Sequence, residues 1–409
     1  MVVYNRYRHR VHGEEVVVDS TLQLLKDRGV EVTLHVRSSE GLENARWKKL
    51  AAGLASIYNP ASRRRLSEEI AASRPDVIHV HNLYPWISPS ALFAAKRAGI
   101  PVVMTVHHYG LTCPVLTHFR AGRPCTDCIT ASELSCVRHN CRDSVVESSL
   151  YALRTAVARR MRWFKDNVSV FIALSDFSRR QLIAAGFPAD RIVVRPNMLN
   201  PLTAHTLNPT LPGDKLHPVP VPSASVDYVA YVGRVTFEKG VDLLCEASKQ
   251  TGLPVRIAGD VSGWPELTAK YADTARFEGI LRGDALISFY RHARLIVVPS
   301  RWWEVCPLVV LEAMHLGVPV LAARSGGLPE MIEDNVSGVL FESGNVADLA
   351  ASMLRLWNDS PLRSRLADAA RRRVAEKYSA APYFSDLMSI YSRAREHSVG
   401  TGGLALGED

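Results

Sequence analysis

Short runs of β-branched residues alternate along the chain with longer segments of helical apolar spacing, and this alternation constrains the fold more than any other feature. The segment Val16–Leu25, for example, has apolar residues at the spacing of one helix face. Such alternation is typical of strand–helix–strand units, which build a parallel sheet covered by helices on both faces. The runs that predict strands in the first half are Val2–Tyr4, Val30–Val36, Val77–His81, Val102–Val106, Val168–Ala173 and Ile192–Arg195.

A proline-rich segment over residues 201–223 interrupts the pattern with six prolines and little periodicity. This composition is typical of a linker or of a long surface crossing. Beyond it the alternation restarts, so we predict a second doubly wound domain of the α/β class. Its predicted strands are Tyr228–Val232, Val255–Ala258, Thr274–Gly279, Leu295–Pro299, Pro319–Ala322 and Gly338–Phe341.

The chain of 409 residues is longer than one hydrophobic core usually organises, which agrees with two domains. We predict a first domain over residues 1–205, with a cysteine-rich insertion over 113–141, and a second domain over 206–380. A C-terminal helix is expected over 381–397, and its return to the first domain is one alternative. Residues 398–409 lack any pattern and are expected to be disordered.

Composition and charge narrow the class of protein. Hydrophobic residues make up 47% and charged residues 22%, which is typical of soluble globular proteins and argues against a disordered or fibrous chain. The N-terminus is charged where a signal peptide is apolar, and no apolar run approaches the roughly 18 residues of a membrane span. We therefore expect a cytoplasmic protein.

The basic balance, 49 Lys and Arg against 41 Asp and Glu, suits a phosphate-bearing ligand, an anionic membrane surface or nucleic acid. The segment Leu150–Lys165 is basic and amphipathic, so it is either a helix packed on the first domain or a surface for peripheral contact with the inner face of the membrane. Nucleic acid is not an expected partner, because the basic residues are spread over both domains and no nucleic-acid motif occurs.

The first strand of the second domain runs into the segment from Gly233 to Gly240, which places Arg234 and Lys239 around a tight turn that opens a helix. In doubly wound sheets ligands bind at the carboxyl ends of the strands, where helix N-termini hold phosphates. Two cations at that position fit a diphosphate. The alternative is a solvated turn with incidental basic residues.

A second segment runs from Pro299 to Ala313 and carries two carboxylates, Glu304 in a loop and Glu312 in the helix that follows. One carboxylate could accept hydrogen bonds from sugar hydroxyls and the other from ribose hydroxyls, while amides at the helix start face phosphate. The alternative makes Glu304 a capping residue and Glu312 a surface charge. The apolar neighbours of Glu312 argue against an exposed position.

Together with Gly317-Val318-Pro319-Val320 and the segment from Ser325 to Glu330, these motifs resemble the retaining glycosyltransferases of family 4, over nearly the whole chain. The resemblance implies a GT-B fold, in which two Rossmann-like domains face a central cleft. It also implies a nucleotide-sugar donor. Carried over residue by residue, it places the diphosphate on Arg234 and Lys239, beside Gly233, and the transferred sugar against Glu304. It further places the ribose on Glu312 and the phosphate near the backbone of Cys306, Pro307, Leu308 and Val309.

Two further positions come from the first domain. His107 follows a predicted strand and matches the histidine that such enzymes place beside the donor sugar, whereas His108 stands where many relatives have aspartate. Relatives carry two adjacent glycines in the first loop; here the run is His12-Gly13-Glu14, so Gly13 is the remaining candidate for donor contact. Since strand one begins at residue 1, a start a few residues further upstream is one alternative.

Five cysteines cluster in the insertion, at Cys113, Cys125, Cys128, Cys136 and Cys141. A Cys-x2-Cys pair followed by further cysteines is compatible with a structural tetrahedral zinc site. Their irregular spacing fits a thiol-rich loop equally well. No Asp-x-Asp occurs, so no metal or other cofactor is expected for catalysis itself.

The sequence therefore predicts a hexosyltransferase-type enzyme that transfers a sugar, with retention, to a glycan, a glycolipid or another hydroxyl acceptor in cell-surface polysaccharide biosynthesis. His107, Glu304, Arg234 and Lys239 are its candidate catalytic residues. A nucleotide-sugar epimerase or a phosphorylase of GT-B shape is the alternative among enzymes. A zinc-ribbon nucleic-acid-binding protein is the remote alternative outside them.

Overall fold

The computed structural model describes residues 1–6, 13–39, 46–199 and 227–401, without the side chains of 46–50 and 397–401. The chain divides into two compact units. The first unit takes in Met1–His118, Cys125–Pro196 and the chain from Tyr383 onward. The second takes in Phe119–Pro124 and Asn197–Pro382. The prediction placed this division at residue 205, inside the proline-rich segment, and residues 200–226 lie outside the described residues.

The first unit is built on a parallel six-stranded sheet of order β2-β1-β3-β4-β7-β8. The chain first steps outward from β1 to β2 and then continues on the other side of β1. The topological switch point therefore lies between β1 and β3. In chain order these strands are β1 Val2–Arg6, β2 Leu34–Ser38, β3 Ile78–Val80, β4 Val102–Val106, β7 Val170–Ala173 and β8 Ile192–Val194.

Helices cover the sheet because each connection between parallel strands must cross over a face. Several begin at a side-chain cap that satisfies an amide of the first turn: Asn59 accepts from the Ser62 amide, and Ser175 forms a capping box with Ser178. The helices of this unit are α1 Gly13–Asp27, α2 Arg46–Ile57, α3 Pro60–Ser73, α4 Ser90–Arg97, α5 Asp127–Thr130, α6 Leu134–Arg138, α7 Val145–Arg160 and α8 Asp176–Ala184, with 3₁₀ turns at Tyr109–Leu111 and Ala189–Arg191.

The second unit repeats the design with a parallel sheet of order β11-β10-β9-β12-β13-β14. Its switch point lies between β9 and β12, so the loops after these two strands flank the position where such sheets bind ligands. The strands are β9 Tyr228–Val232, β10 Val255–Ala258, β11 Ala275–Gly279, β12 Ala293–Val298, β13 Val320–Ala323 and β14 Val339–Phe341. The prediction of two doubly wound α/β domains is confirmed.

The helices of the second unit pack the apolar core of its sheet, in which Leu244, Ile257, Leu321 and Phe341 are fully buried. A short hairpin of β5 Phe119–Arg120 and β6 Arg123–Pro124, from the cysteine-rich insertion, groups with this unit. The helices are α9 Val241–Thr251, α10 Pro265–Lys270, α11 Gly283–Arg291, α12 Leu308–Leu316, α13 Leu328–Met331, α14 Val346–Asn358 and α15 Ser360–Lys377, with a 3₁₀ turn at Phe237–Lys239.

The C-terminal helix α16 extends over Ala380–Thr401, and from Tyr383 onward it belongs to the first unit. There the Tyr383 hydroxyl hydrogen-bonds to Thr21, and Asp386 forms an ion pair with Arg195. Residues 398–401, expected to be disordered, are helical. Once a helix exists, each added residue gains a hydrogen bond without a new nucleation cost, so weak patterning suffices. Residues 402–409 lie outside the described residues.

Candidate active site

Two glycines set the loop that follows β9. Gly233 and Gly240 both have positive φ, 147° and 71°, which side-chain-bearing residues rarely adopt. A Cβ on Gly240 would overlap the carbonyl oxygen of Pro299 at the end of β12. The glycines therefore let the loop carrying Arg234 and Lys239 lie directly against the loop carrying Glu304.

Lys239 and Glu304 form a buried ion pair between these two loops. Lys239 Nζ lies 2.7 Å from Glu304 Oε1, and the same oxygen accepts a hydrogen bond of 2.5 Å from the Ser300 hydroxyl. Glu304 is only 4% exposed. Burial opposes its ionisation, but Lys239 and the Ser300 and Trp302 donors outweigh burial and hold the pKa of Glu304 below its usual value. Glu304 is therefore a fixed carboxylate.

The two predicted diphosphate cations differ in their surroundings. Lys239 lies 4.7 Å from the Trp302 ring centroid and is largely buried, so its ammonium is held by both a carboxylate and an aromatic face. Arg234 is half-exposed and pairs with Glu238 at 3.6 Å. An exposed pair of this kind is weak. Arg234 can therefore turn to an anionic ligand at little cost, whereas Lys239 has to share its donors with Glu304.

The segment from Ser325 to Gly327 holds the Glu304 loop in place. In the sequence this segment contributed to the family resemblance but had no predicted structural role. The Ser325 hydroxyl donates to the Trp302 carbonyl at 2.7 Å, and the Gly327 amide donates to the Glu304 carbonyl at 2.7 Å. Gly326 has φ 60°, and a Cβ there would overlap the Glu304 backbone. The segment therefore positions Glu304 through its main chain.

Helix α12 starts immediately after this loop. Pro307 occupies its N-cap, and no side chain caps the first turn. The first amides of a helix lack intrahelical partners, so the Leu308 and Val309 amides present positive charge density to an anion. Asn197 donates from Nδ2 to the Cys306 carbonyl at 2.8 Å, which fixes the entry of the chain into the helix. The four predicted backbone positions therefore lie together.

Glu312 lies one turn further along α12 and is half-buried. Burial raises its pKa, and a hydrogen bond of 2.6 Å from the Tyr290 hydroxyl to Oε2 partly offsets that rise. Tyr290 on α11 was not a predicted site residue. The pairing depends on the packing of two helices, so the sequence alone gave no signal for it.

In the first unit, His107 follows β4 and joins a row of three imidazoles. His107 Nε2 and His81 Nδ1 share a hydrogen bond of 2.8 Å, and the His81 ring stacks on that of His79 at a centroid distance of 4.2 Å. His79 in turn contacts the Thr105 hydroxyl at 2.7 Å and the Tyr391 hydroxyl at 2.8 Å. Tyr391 is a functional candidate that the sequence did not single out, whereas His79 and His81 were noted only as part of the predicted strand Val77–His81 and the polar residues after it, with no role for either.

Burial lowers the pKa of each of the three imidazoles, which favours their neutral forms. Burial, followed by the repulsion between positive charges on His79 and His107, lowers the pKa of His79 to about 3. Burial and neighbouring imidazoles hold the pKa values of His81 and His107 well below the usual range. His108 accepts from the Gly110 amide at Nδ1, 3.0 Å away, and burial lowers its pKa to about 4. His108 therefore caps the turn after β4.

Gly13 is the first residue of α1 and is exposed. Residues 7–12, including His12, lie outside the described residues. Next to Gly13, burial and then the charge of Glu15 raise the pKa of Glu14 to about 8. The role expected for Gly13 remains a prediction.

The five cysteines of the insertion are thiols, of which Cys113, Cys128 and Cys136 are buried. They lie close together: burial, followed by the neighbouring Cys141 and Cys113, raises the pKa of Cys136 to about 12. Arg159 donates to the Cys128 carbonyl at 2.8 Å and anchors the segment to α7. Among the described residues, no three His, Cys, Asp or Glu side chains are arranged to hold a metal ion.

Within the described part of the chain, no helix combines the length and the apolar content needed to span a bilayer. Helix α7 occupies most of the segment predicted to be basic and amphipathic, and exposes Val145, Val146 and Leu153. Part of its other side packs on α2 and α6.

Comparison with protein families gives two matches that follow one another along the chain. The family model described as Glycosyltransferase Family 4 matches residues 11–201, and the model described as Glycosyl transferases group 1 matches residues 215–373.

Similar curated proteins agree with these matches. The chain is 28% identical over 392 residues to sulfoquinovosyl transferase SQD2 of Arabidopsis thaliana, covering 90% of this chain and 68% of that protein. It is 36% identical over 185 residues to D-inositol 3-phosphate glycosyltransferase of Salinispora arenicola, covering 41% of each. The match thus spans about two fifths of the length of the latter.

Solved structures show the same fold. A glycosyltransferase from Rickettsia africae ESF-5 superimposes with a TM-score of 0.66 at 18% identity, covering 96% of this chain and 98% of that one. Anabaena HepE in complex with UDP has a TM-score of 0.63 at 18% identity, covering 96% and 99%. Two Rossmann-like domains are the architecture of the glycosyltransferase fold GT-B, which the sequence predicted. The chain belongs to glycosyltransferase family 4.

Proposed function

We propose that this glycosyltransferase binds a nucleotide diphosphate sugar in its second unit and transfers the sugar to a hydroxyl acceptor with retention of configuration. The observation that carries the proposal is the fixed Glu304 carboxylate, paired with Lys239 and followed directly by the uncapped start of α12. Carboxylate, cation and helix amides together offer acceptors for sugar hydroxyls and donors for phosphate.

The diphosphate is assigned to Arg234, Lys239 and the Leu308 and Val309 amides. An anion is favoured at an uncapped helix start, and Arg234 is only weakly paired in its absence. Negative charge grows on the diphosphate as the sugar leaves. Donors already fixed in place stabilise that charge in the transition state more than in the ground state, which is what accelerates the reaction.

The transferred sugar is assigned to Glu304 and the ribose to Glu312. An ionised carboxylate only accepts hydrogen bonds, so Glu304 selects ligand hydroxyls that donate. Glu312 has Oε2 occupied by Tyr290, which orients Oε1 for a ribose hydroxyl. For His107 we keep the role implied by the family resemblance, contact with the donor sugar.

For retention, we propose that the acceptor hydroxyl attacks from the face that the diphosphate leaves, and that the departing phosphate takes the proton. An α-linked donor then gives an α-linked product. The pairing of Glu304 with Lys239 and Ser300 supports this route, because a carboxylate held in two contacts is better suited to binding than to nucleophilic attack.

The acceptor is proposed to be a glycan, a glycolipid or another hydroxyl compound of cell-surface polysaccharide biosynthesis. Of the relatives named above, one is named for the group it transfers, sulfoquinovosyl, and the other for D-inositol 3-phosphate, so their names support the general class of hydroxyl acceptor more than any single compound. A cytoplasmic protein in peripheral contact with the membrane, through the exposed apolar residues of α7, is part of the proposal.

Incubation with a panel of nucleotide diphosphate sugars and acceptors, followed by mass spectrometry and proton NMR of the product, tests the proposal. We expect donor consumption to depend on acceptor and an α-donor to give an α-product. A β-linked product would overturn retention. Conversion of the donor to another nucleotide sugar without acceptor would identify an epimerase, and a requirement for inorganic phosphate would identify a phosphorylase.

A further inference from the structure

His79, His81 and His107 form the histidine row. The surroundings of one ring nitrogen in it, His81 Nε2, determine which nitrogens of His81 and His107 are protonated. The His81 side chain is buried, with 3% exposure, and its Nε2 has no hydrogen-bond partner among the described residues. Its other nitrogen, Nδ1, lies 2.8 Å from His107 Nε2. The two ring centroids are 5.1 Å apart with planes 22° apart. The rings therefore meet edge to edge and nearly in one plane, as a hydrogen bond between ring nitrogens requires.

Only one proton can lie between His81 Nδ1 and His107 Nε2 when both rings are neutral. If His107 were the donor, the proton of His81 would be on Nε2, a buried N–H without an acceptor. If His81 is the donor, Nε2 keeps only an unused lone pair. Buried N–H groups without acceptors are rarer in proteins than acceptors without donors. The arrangement therefore favours His81 as the donor.

His79 keeps His81 in this orientation without competing for its proton. Both ring nitrogens of His79 are occupied, by the hydroxyls of Thr105 and Tyr391, and its ring stacks on His81. His79 therefore packs against one face of the His81 ring and is itself held in place by two hydrogen bonds. The only ring nitrogen in the row with a free proton to offer is then Nδ1 of His107, whose side chain is partly exposed.

We propose that His81 is a positioning residue that holds His107 in the Nδ1–H tautomer, so that His107 offers a hydrogen-bond donor to an oxygen of its ligand. The chemical consequence is that His107 does not act as a base through Nδ1. It binds a hydroxyl oxygen of the sugar or an oxygen of the leaving group. This last step rests on the proposed function, whereas the tautomer assignment concerns the protein without ligand.

The tautomer is measurable in the full-length, ligand-free protein labelled with 15N-histidine. Two-bond 1H–15N correlation spectra near neutral pH distinguish protonated from unprotonated ring nitrogens, and the His107→Gln variant identifies the His107 signals among the 14 histidines. We expect an unprotonated Nε2 and a protonated Nδ1 in wild-type His107. A protonated His107 Nε2 in the wild type would overturn the proposal. This measurement does not require a folded His81 variant.

Two variants separate positioning from a merely structural role. His81→Asp replaces the donor with a carboxylate, which only accepts hydrogen bonds, and should shift the proton of His107 to Nε2, with kcat lowered about tenfold and KM changed less, the effect of one transition-state hydrogen bond. His81→Asn places an amide N–H near the position of Nδ1 and should keep the Nδ1–H tautomer and more of the rate. An unchanged His107 spectrum in folded His81→Asp would overturn the positioning role.

One result would contradict the proposed role of His107 in sugar transfer without contradicting the tautomer assignment. If wild-type His107 has the expected tautomer but His107→Gln transfers sugar at the wild-type rate, the tautomer assignment stands. In that case His107 has no part in sugar transfer.

Discussion

Lys239 Nζ lies 2.7 Å from Glu304 Oε1, and the two side chains are 17% and 5% exposed, so each charge depends on the other for its partner. The pair joins the loop after β9 to the loop after β12, the two loops at the switch point of the second unit. Lys239 therefore stabilises a buried carboxylate in the free protein, and the proposed function gives it a second task, binding the diphosphate in the complex.

Replacing Lys239 by methionine should destabilise the fold because it leaves the Glu304 carboxylate buried without its cation. We expect the free energy of unfolding in urea to fall by about 3 kcal/mol. The double variant Lys239→Met with Glu304→Gln should recover most of that loss, since neither charge remains. A single variant as stable as the wild type would mean that the pair is not formed in solution.

Arg234 allows the catalytic effect of a cation to be measured without a folding defect, because the residue is half-exposed and weakly paired. We expect Arg234→Ala to lower the single-turnover rate by at least about tenfold while nucleotide affinity falls less, since charge grows on the diphosphate in the transition state. Arg291→Ala, an exposed arginine on α11, is the matched control. Equal losses in affinity and rate would limit Arg234 to ground-state binding.

Glu312→Ala should weaken nucleotide binding by roughly tenfold or more, because a hydrogen bond between ribose and a carboxylate is lost at a half-buried position. Titration calorimetry with the cognate nucleoside diphosphate measures this. Tyr290→Phe is the informative partner variant: it keeps the carboxylate but removes its orienting hydrogen bond, so a smaller loss is expected. Unchanged affinity in folded Glu312→Ala would exclude Glu312 from the site.

The local features of the fold follow from the sequence. Strand runs such as Tyr228–Val232 and Val102–Val106 coincide with the observed strands because β-branched, doubly buried runs fit few other structures. The loops after β9 and β12 are also placed by sequence, since their glycines and the position of Glu304 belong to continuous segments.

Contacts between distant segments could not be predicted from the sequence. Tyr290 is 22 residues from Glu312, and Tyr391 is 312 residues from His79. Such pairs depend on helix packing and on the path of α16 rather than on any local pattern. The role of His81 could not be predicted for the same reason, because it depends on the contact with His107, which follows the neighbouring strand β4.

His79 predicts a dependence of stability on pH with a definite sign. The pKa of His79 is about 3 in the folded protein, against about 6.5 in the unfolded chain. Between these values the unfolded state binds a proton that the folded state lacks. The free energy of unfolding should therefore fall as pH decreases through this window and be insensitive to His79 above it.

Urea unfolding of wild type and of His79→Gln at about pH 7.5 and about pH 5.5 checks the slope, which should be steeper in wild type by up to about 1.4 kcal/mol per pH unit. The other buried histidines contribute to both proteins and cancel in the comparison. Parallel slopes would mean that His79 binds its proton over the same pH range in the folded protein as in the unfolded chain.

The cysteine segment is expected to serve structure, or the shape of the acceptor side, and to take no covalent part in sugar transfer. The cation, carboxylate and helix-start groups assigned to the donor all lie in the second unit, whereas the cysteines lie in the insertion, where burial raises the pKa of Cys136 to about 12. A thiol with so high a pKa is a poor nucleophile near neutral pH. Cys125→Ser and Cys128→Ser should therefore retain donor hydrolysis in their folded fractions.

Elemental analysis and thermal unfolding of the same two variants decide what the cysteines do. Zinc bound by the wild type and released in both variants, together with lower thermal stability, would establish a structural metal site. Zinc-free wild type and unaltered stability in both variants would leave a thiol-rich loop. Loss of donor hydrolysis in a fully folded, zinc-free variant would contradict the prediction, because sugar transfer would then require a thiolate from the first unit.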